Sequence, residues 1–390
     1  MSLLARREGI NAAALRPGAP GRMMAGPQTF QEQITVSFSI WAGLAAALIG
    51  AGAAGTAEQF TQTVDHLAEV SPERRADLAA NPDGLTPVEL NARVPEINQV
   101  ELDNSFSDAA PGGTLKVIAW NIERGRAWEG ALKLIAEDPA LKNPDVLLLT
   151  EMDLGMARSK NRHTTREMAA GLGMNYAYAV EFLELSRGKS ADLENTGDRK
   201  NERGFHGNAI LSRFPLSNVR MLRFPGIEKW YGSGENRLGG RMAVIAEIDA
   251  SGTPITLVSV HLESGITDTE QRALEMRLLL EELKATAWEH PIIIGGDMNS
   301  LHTHEAIEQL RGAGFDVDAA NDLDTPTSQY LRKGKAHLGG PHIDYVQARG
   351  LEVIRGEHSP AVVLGTWPPG PGGELLSDHA AVVCVFEVRP

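Results

Sequence analysis

The sequence predicts a mixed α/β fold in which sheets of short strands are covered by helices, and three observations carry that prediction. From Leu115 onward, β-like runs of a few residues recur, each bounded by Gly, Pro or polar clusters. Helical patterns lie between several of these runs. The runs themselves are apolar nearly throughout, which suits strands buried on both faces rather than wetted on one. A hydrophobic fraction of 42% in 390 residues is enough to build the core that such layers need.

Residues 1–33 are rich in Ala, Gly, Pro and Arg without a sustained period, and read as disordered. The segment 34–57, "ITVSFSIWAGLAAALIGAGAAGTA", holds no charge and is long enough for a bilayer span, although Ala and Gly keep its hydrophobicity modest. Arg6, Arg7, Arg16 and Arg22 precede it, and "AGA" (51–53) and "GTA" (55–57) resemble small-residue cleavage sites. It is a signal peptide or membrane anchor candidate, with a merely apolar soluble helix as the third reading. A secreted, periplasmic or membrane-anchored location is therefore expected over a cytoplasmic one, although a start at Met23 or Met24 would remove the basic region. Residues 58–111 are polar, with one helix expected over 75–80 and breaks at "NPDG", "TPVE" and "APGG". They read as a linker or wrapping segment without chemistry.

Strands follow at "LKVIAWN" (115–121), "DVLLLT" (145–150), "GNAILS" (207–212), "RMAVIAEI" (241–248), "ITLVSVH" (255–261), "PIIIGG" (291–296), "IDYVQA" (343–348) and "AAVVCVFEV" (380–388). The polar stretch 186–206 is expected as a loop, placed as a lid over a site. In "TDTEQRALEMRLLLEELKATAW", Ala273, Met276, Leu280, Leu283 and Ala287 share one helical face, and Thr267 with Glu270 predicts a capping box. A second helix is expected from Thr303 to Gly312.

Charge and cysteine usage narrow the function. With 51 acidic against 37 basic residues the net charge is −14, which argues against nonspecific binding to nucleic acid and suits divalent cations. The single cysteine, Cys384, excludes an intramolecular disulfide and reads as a small core residue.

The informative regularity is what terminates the strands. "VIAWNIE" delivers Asn121 and Glu123, "VLLLTE" Glu151, "LVSVHLES" His261 and "IIIGGDMN" Asp297 and Asn299. Asp344 opens the strand of "HIDYV", and Asp378 and His379 precede the last strand. One Asp or Asn at a strand end is ordinarily a turn cap. Six such ends with complementary chemistry point to a site, because α/β sheets gather ligands at strand ends. In "IIIGGDMNS", Gly295 and Gly296 read as room for a close approach beside that site, and Met298 as core.

In this order, "WNIE", "LLLTE", "HGNAILS", "SVHLES", "GGDMNS", "IDYV" and "SDHAAV" resemble the endonuclease/exonuclease/phosphatase superfamily over residues 112–390. The resemblance implies a four-layered α/β sandwich of the deoxyribonuclease I type, with two facing mixed sheets flanked by helices, and divalent-metal-dependent phosphoester hydrolysis. By that resemblance Glu151 and Asn121 hold Mg²⁺ (or Mn²⁺), with Glu123 and Asp378 as further candidates for the metal shell. Asp297 and Asn299 handle the attacking water and the phosphate, and His379 contacts the scissile phosphate. Asp344 fixes the tautomer of His379, His261 assists the leaving group, and Asn208 lies near the phosphate.

His206, His302, His304, His337 and His342 fit no helix-borne zinc spacing and read as solvated loop residues. Arg162, Arg203 and Arg241 are candidates for holding substrate phosphates, with a surface arginine as the plainer reading of each. The function expected is a nuclease-like phosphodiesterase, monomeric, with membrane association through 34–57. A phospholipid (sphingomyelinase-like) phosphodiesterase or a phosphomonoesterase is the alternative, and a non-catalytic binding protein retaining the fold is the alternative of another class. Retention of Glu151, Asp297 and His379 weighs against the last.

Overall fold

The computed structural model describes residues 55–188, 192–193, 196–250, 252–328, 339–369 and 373–389. The expected disordered N-terminus, and the apolar segment 34–57 as far as residue 54, lie outside the described residues. Among the described residues no helix is long and apolar enough to cross a membrane.

Strands begin within the wrapping segment, with β1 (Glu58–Phe60), β2 (Thr63–Val64) and β3 (Val100–Asp103). Then come β4 (Thr114–Asn121), β5 (Val146–Leu154), β6 (Asn175–Glu184), β7 (Phe205–Ser212) and β8 (Ser217–Arg223). The middle of the chain supplies β9 (Arg237–Gly239), β10 (Met242–Ala250), β11 (Thr253–His261) and β12 (Ile292–Asp297). The last are β13 (Asp344–Arg349), β14 (Glu352–Ile354), β15 (Ala361–Val363), β16 (Thr366–Trp367), β17 (Glu374–Leu375) and β18 (Ala381–Glu387). One sheet runs β1-β8-β10-β11-β12-β13; the larger runs β14-β18-β4-β5-β7-β6-β3-β2, with β15 on β18 and β9 on β6.

Period-2 alternation assigns each strand's side chains to two different cores. Val117 and Ala119 of β4 pack between the sheets with Val244 and Ala246 of β10 and Leu257 of β11. Ile118 and Trp120 point the other way, onto Ala131 and Leu134 of the helix Trp128–Glu137 and Met168 of the helix Thr164–Leu172. Behind the smaller sheet, Ile245, Val258 and Ile294 meet Met276, Leu280 and Leu283 of the helix Thr269–Thr286, with Ile307 and Leu310 of Glu305–Gly312. Three cores separate four layers, the α/β sandwich expected. Cys384 and Met298 are both buried core residues.

Local signals shifted at several ends. The capping box expected at Thr267 and Glu270 does not form: that helix begins after Asp268, whose side chain makes no cap bond. A capping box occurs instead at Thr86 and Glu89, opening the helix Pro87–Ala92. The helix expected over 75–80 runs Pro72–Ala80, because the Ser71 hydroxyl caps it and Pro72 suits its first position. His304 precedes Glu305–Gly312, two residues later than the start predicted at Thr303. Phe205 and His206, read as loop, are buried in β7.

Both glycines of "IIIGGDMNS" serve the fold. A Cβ on Gly295 would lie 2.8 Å from Leu148 Cδ1 and 3.1 Å from Ala119 Cβ of the facing sheet, so the sheets approach too closely there for a side chain. Gly296 has φ +138°, and a Cβ would lie 2.0 Å from the Val260 carbonyl oxygen.

Candidate active site

Register brings the polar strand ends to one edge. β11 and β12 are parallel with His261 opposite Asp297, and β13 runs antiparallel to β12 with Asp344 also opposite Asp297. In the other sheet β4 and β5 are parallel, with Asn121, the last residue of β4, opposite Thr150, while β18 starts beside β4. Strands that end and strands that begin therefore expose their polar residues at the same rim.

Glu151 reaches the rim through a bulge. The pairing of β5 with β7 slips between Leu149 and Met152, and Glu151 sits at φ +61°, a conformation a non-glycine residue adopts only where its surroundings impose it. The Asn121 amide donates to Glu151 Oε1 at 3.3 Å and to Asp297 Oδ2 at 3.0 Å, tying the two sheets together. Burial disfavours the charged form of Glu151, but the positive fields of His206, Arg124, His261 and His379 win and hold the carboxyl well below the usual range.

Across the rim, His379 Nδ1 lies 2.8 Å from Asp344 Oδ2. The Thr327 hydroxyl accepts the backbone N–H of Ile343 and Asp344 at 2.9 and 3.0 Å, so its proton goes to Asp344 Oδ2, 2.7 Å away. Asp344 thereby acts as an acceptor toward two donors, which orients the ring and leaves Nε2 of His379 3.8 Å from Asp297 Oδ2. Burial opposes an imidazolium at His379, but the carboxylates of Asp344 and Asp297 raise its pKa well above the histidine norm. Burial in turn pushes Asp344 up to about 6, with His379 pulling it back down. The two shifts describe one proton shared by the pair. We place it on the imidazole, because Oδ2 is committed to accepting.

Asp297 is buried; its Oδ1 accepts the Asn299 N–H at 2.9 Å, and Asn299, at φ +47°, donates its amide to the Leu262 carbonyl. His261 Nε2 lies 3.6 Å from Asp297 Oδ2, with its Nδ1 3.2 Å from Glu181 Oε2. Burial and Arg241 oppose protonation of His261, but Glu181 and Asp297 outweigh them and raise its pKa. Asn208 donates to the Met242 carbonyl at 3.3 Å, and its buried Oδ1 has no partner.

Glu123 and Asp378 take a different place. Glu123 receives Arg126 and the backbone N–H of Asp378, which brackets the approach to β18 against the loop after β4.

Sequence reasoning missed Glu181, Thr327, Arg124 and the setting of Arg241. Arg241 is no surface arginine: it is buried, donates to Glu181 Oε1 at 2.6 Å and lies 2.8 Å from His261 Nδ1. Arg124 Nε stands 3.8 Å from Glu151 Oε2. Arg162 pairs with Glu167 on the outside of the molecule, and Arg203 donates to the Leu67 carbonyl. His206 is also no solvated loop residue, being buried 2.8 Å from Asp153, and His342 is buried against the Thr325 carbonyl. His302 is exposed, His304 half-buried at its helix N-cap, and His337 lies outside the described residues.

Two donor sets fit a divalent cation. Among the described residues, ligand atoms of Asp297, Asp344 and His379 lie within 4.8 Å of one another. The hydrogen bond between His379 and Asp344 turns two of those groups toward each other, however. Glu151, an ionised and half-buried carboxylate, and Asp297 offer carboxylate oxygens suited to a hard cation on either side of Asn121, whose amide N–H groups donate to both and whose Oδ1 accepts the Glu123 N–H.

An α/β sandwich carrying carboxylates, an amide and an aspartate-held histidine on one rim is the architecture of a metal-dependent phosphoesterase. The Endonuclease/Exonuclease/phosphatase family model matches residues 118–379, and the chain belongs to that family. Members of that family hydrolyse phosphoesters and depend on divalent metal. A comparison with curated proteins finds no match. Among solved structures, an endonuclease/exonuclease/phosphatase from Beutenbergia cavernae aligns at 18% identity over 71% of this chain and 72% of its own, with a TM-score of 0.51. The human Nocturnin catalytic domain with bound sulfate aligns at 20% identity over 70% of this chain and 93% of that one, with a TM-score of 0.48. D. rerio TDP2, humanized by 14 mutations, aligns at 17% identity over 71% and 100%, with a TM-score of 0.48. The first of these likenesses shows a shared fold.

Proposed function

We propose that the protein is a phosphodiesterase that uses Mg²⁺ or Mn²⁺. The observation that carries this reading is the convergence of Asp297 with both protonatable histidines: His379 Nε2 lies 3.8 Å and His261 Nε2 3.6 Å from its Oδ2. A cation held by Glu151 and Asn121, with Glu123 and Asp378 bracketing the adjoining loop, would neutralise phosphate charge and acidify water. The chain's own groups do the rest. Asp297 accepts the proton of the attacking water, as a buried carboxylate aligned by Asn121 and the Asn299 N–H can do. His379, kept as imidazolium by Asp344, donates to a non-bridging phosphate oxygen, where negative charge grows in the transition state. His261, backed by Glu181, donates a proton toward the leaving oxygen. The second N–H of the Asn299 amide and Asn208 serve the phosphate.

The reading is tested on bis-p-nitrophenyl phosphate with Mg²⁺ or Mn²⁺. Asp297→Ala and His379→Ala should each abolish turnover; wild-type rates in both variants would sink the assignment. One observation favours a phospholipid over nucleic acid. Ile266 is 89% exposed on the loop after β11, and Leu301 is exposed on the loop after the adjacent β12, both on the active rim. A panel of sphingomyelin vesicles, single-stranded DNA and RNA separates the two substrates. Export or anchoring through 34–57 belongs to the same proposal, and cell fractionation with sequencing of the mature N-terminus tests it.

A further inference from the structure

Beside the Glu151 side of the rim, three guanidinium groups converge on one carboxylate. Arg124 Nη1 donates to Asp192 Oδ2, Arg126 Nη1 lies 3.8 Å from Asp192 Oδ1, and Arg158 Nη1 lies 3.7 Å from Oδ2. Asp192 belongs to the insert 186–206 and is buried. The remaining donors hold the arginines in place. Arg158 clasps Asp153 through Nε and Nη2, both at 2.9 Å; Arg126 pairs with Glu123; Arg124 Nη2 donates to Glu235 at 3.1 Å. Glu184 stands 3.5 Å from Arg158 and 3.6 Å from Arg237.

The carboxylate does not use what the cluster offers. Among the described residues, Arg158 Nη1 is buried and makes no hydrogen bond. A buried donor left unmade is costly, and guanidinium forks match the tetrahedral oxygens of phosphate at least as well as the two of a carboxylate. The balance of charge also allows an exchange. Four arginines, Arg124, Arg126, Arg158 and Arg237, face five carboxylates, Glu123, Asp153, Glu184, Asp192 and Glu235, so a singly charged phosphate taking the place of Asp192 leaves the balance unchanged. Position is the third point, since Arg124 reaches both Asp192 and, at 3.8 Å, Glu151. Its loop is set in an unusual backbone, with Glu123, Arg124 and Gly125 at φ +45°, +70° and +62° in succession.

We propose that Arg124, Arg126 and Arg158 form a subsite for a second phosphate group next to the reacting one, and that Asp192 fills it as an internal stand-in that this phosphate displaces. The inference rests on the phosphoesterase reading for its role in catalysis, but not for binding. The second phosphate comes either from the same substrate molecule or from free inorganic phosphate, and two assays on the full chain separate these sources.

Kinetics compare the p-nitrophenyl ester of thymidine monophosphate with the same ester carrying a further phosphate on its other hydroxyl. If the substrate supplies the group, the doubly phosphorylated ester has the lower KM. Asp192→Asn should then widen that preference about tenfold and Arg126→Met remove it, the order of one charge-assisted hydrogen bond made or broken. If free phosphate is the ligand, the two esters behave alike, while inorganic phosphate raises the Tm of Asp192→Asn far more than that of wild type and does nothing for Arg126→Met. Should Asp192→Asn not fold, loss of the ester preference or of the phosphate shift in Arg126→Met against wild type decides the matter. Equal behaviour of all variants in both assays overturns the subsite and leaves Asp192 as a structural clamp. Failure of wild type to cleave either ester overturns the phosphoesterase reading instead, and the Tm arm still judges the subsite.

Discussion

Replacing Asp344 by Asn tests the coupling on which the proposed chemistry depends. The side chain is fully buried, and its Oδ2 accepts His379 Nδ1 at 2.8 Å and the Thr327 hydroxyl at 2.7 Å. An amide of the same shape keeps an oxygen for those donors but loses the charge that favours imidazolium. A hydrogen bond between charged partners is worth about 2 kcal/mol more than nothing in its place, so the His379 pKa should fall by between about one and two units. The sign follows from the direction of the native shift. His379 is raised, so its imidazolium is present at neutral pH and is lost as pH climbs through the raised value. With Asn, that loss moves to lower pH. If the same 2 kcal/mol is missing from the transition state, kcat/KM on bis-p-nitrophenyl phosphate drops by about 30-fold. The assay is a pH–rate profile of both proteins, with thermal unfolding to show that the variant folds. A variant whose basic limb stays in place and whose rate remains within about twofold would refute the coupling.

Three further outcomes follow from the same geometry. Glu151→Gln should leave the fold intact but raise the Mg²⁺ concentration for half-maximal rate by about tenfold or more, read by metal titration; an unchanged requirement would move the metal away from Glu151. Glu275 is buried and burial pushes it up to about 7, so the native state holds a proton that the unfolded chain releases, and stability falls as pH rises from the unfolded carboxyl value through 7. Glu275→Gln should flatten that fall and be more stable than wild type by about 1–2 kcal/mol at pH 8, the shift being discounted for the Glu263 N–H and Gln271 bonds that Glu275 accepts; urea unfolding at pH 5 and 8 measures it. Gly296→Ala should destabilise by more than Gly295→Ala, itself costing about 1–3 kcal/mol, because the former meets a carbonyl at positive φ and the latter chiefly a leucine tip. Equal Tm losses would contradict this ranking.

The sequence by itself determined where eight of the strands lie, which faces of the helices are apolar, and that carboxylates, amides and histidines terminate those strands, but it missed β6 (Asn175–Glu184), β8 (Ser217–Arg223) and the strands of the wrapping segment. Those are local properties: apolar spacing survives in any window of a few residues, and "WNIE" or "GGDMNS" can be read without knowing what faces it. The pairing of Asp344 with His379 was also legible, because the family pattern carries both. Local punctuation was less secure: Thr267 and Glu270 had the spacing of a capping box but lost it because the helix starts one residue later, with Asp268 as its N-cap. What only the tertiary structure decided was which charges meet. Arg241 reaches Glu181 across 60 residues, Arg124 reaches Asp192 across 68, and Asn121 reaches Asp297 across 176. An arginine that is buried and paired looks in sequence like one on the surface. Only register and sheet-on-sheet packing set the distances that make one a buried partner of the rim's carboxylates and the other a solvated group.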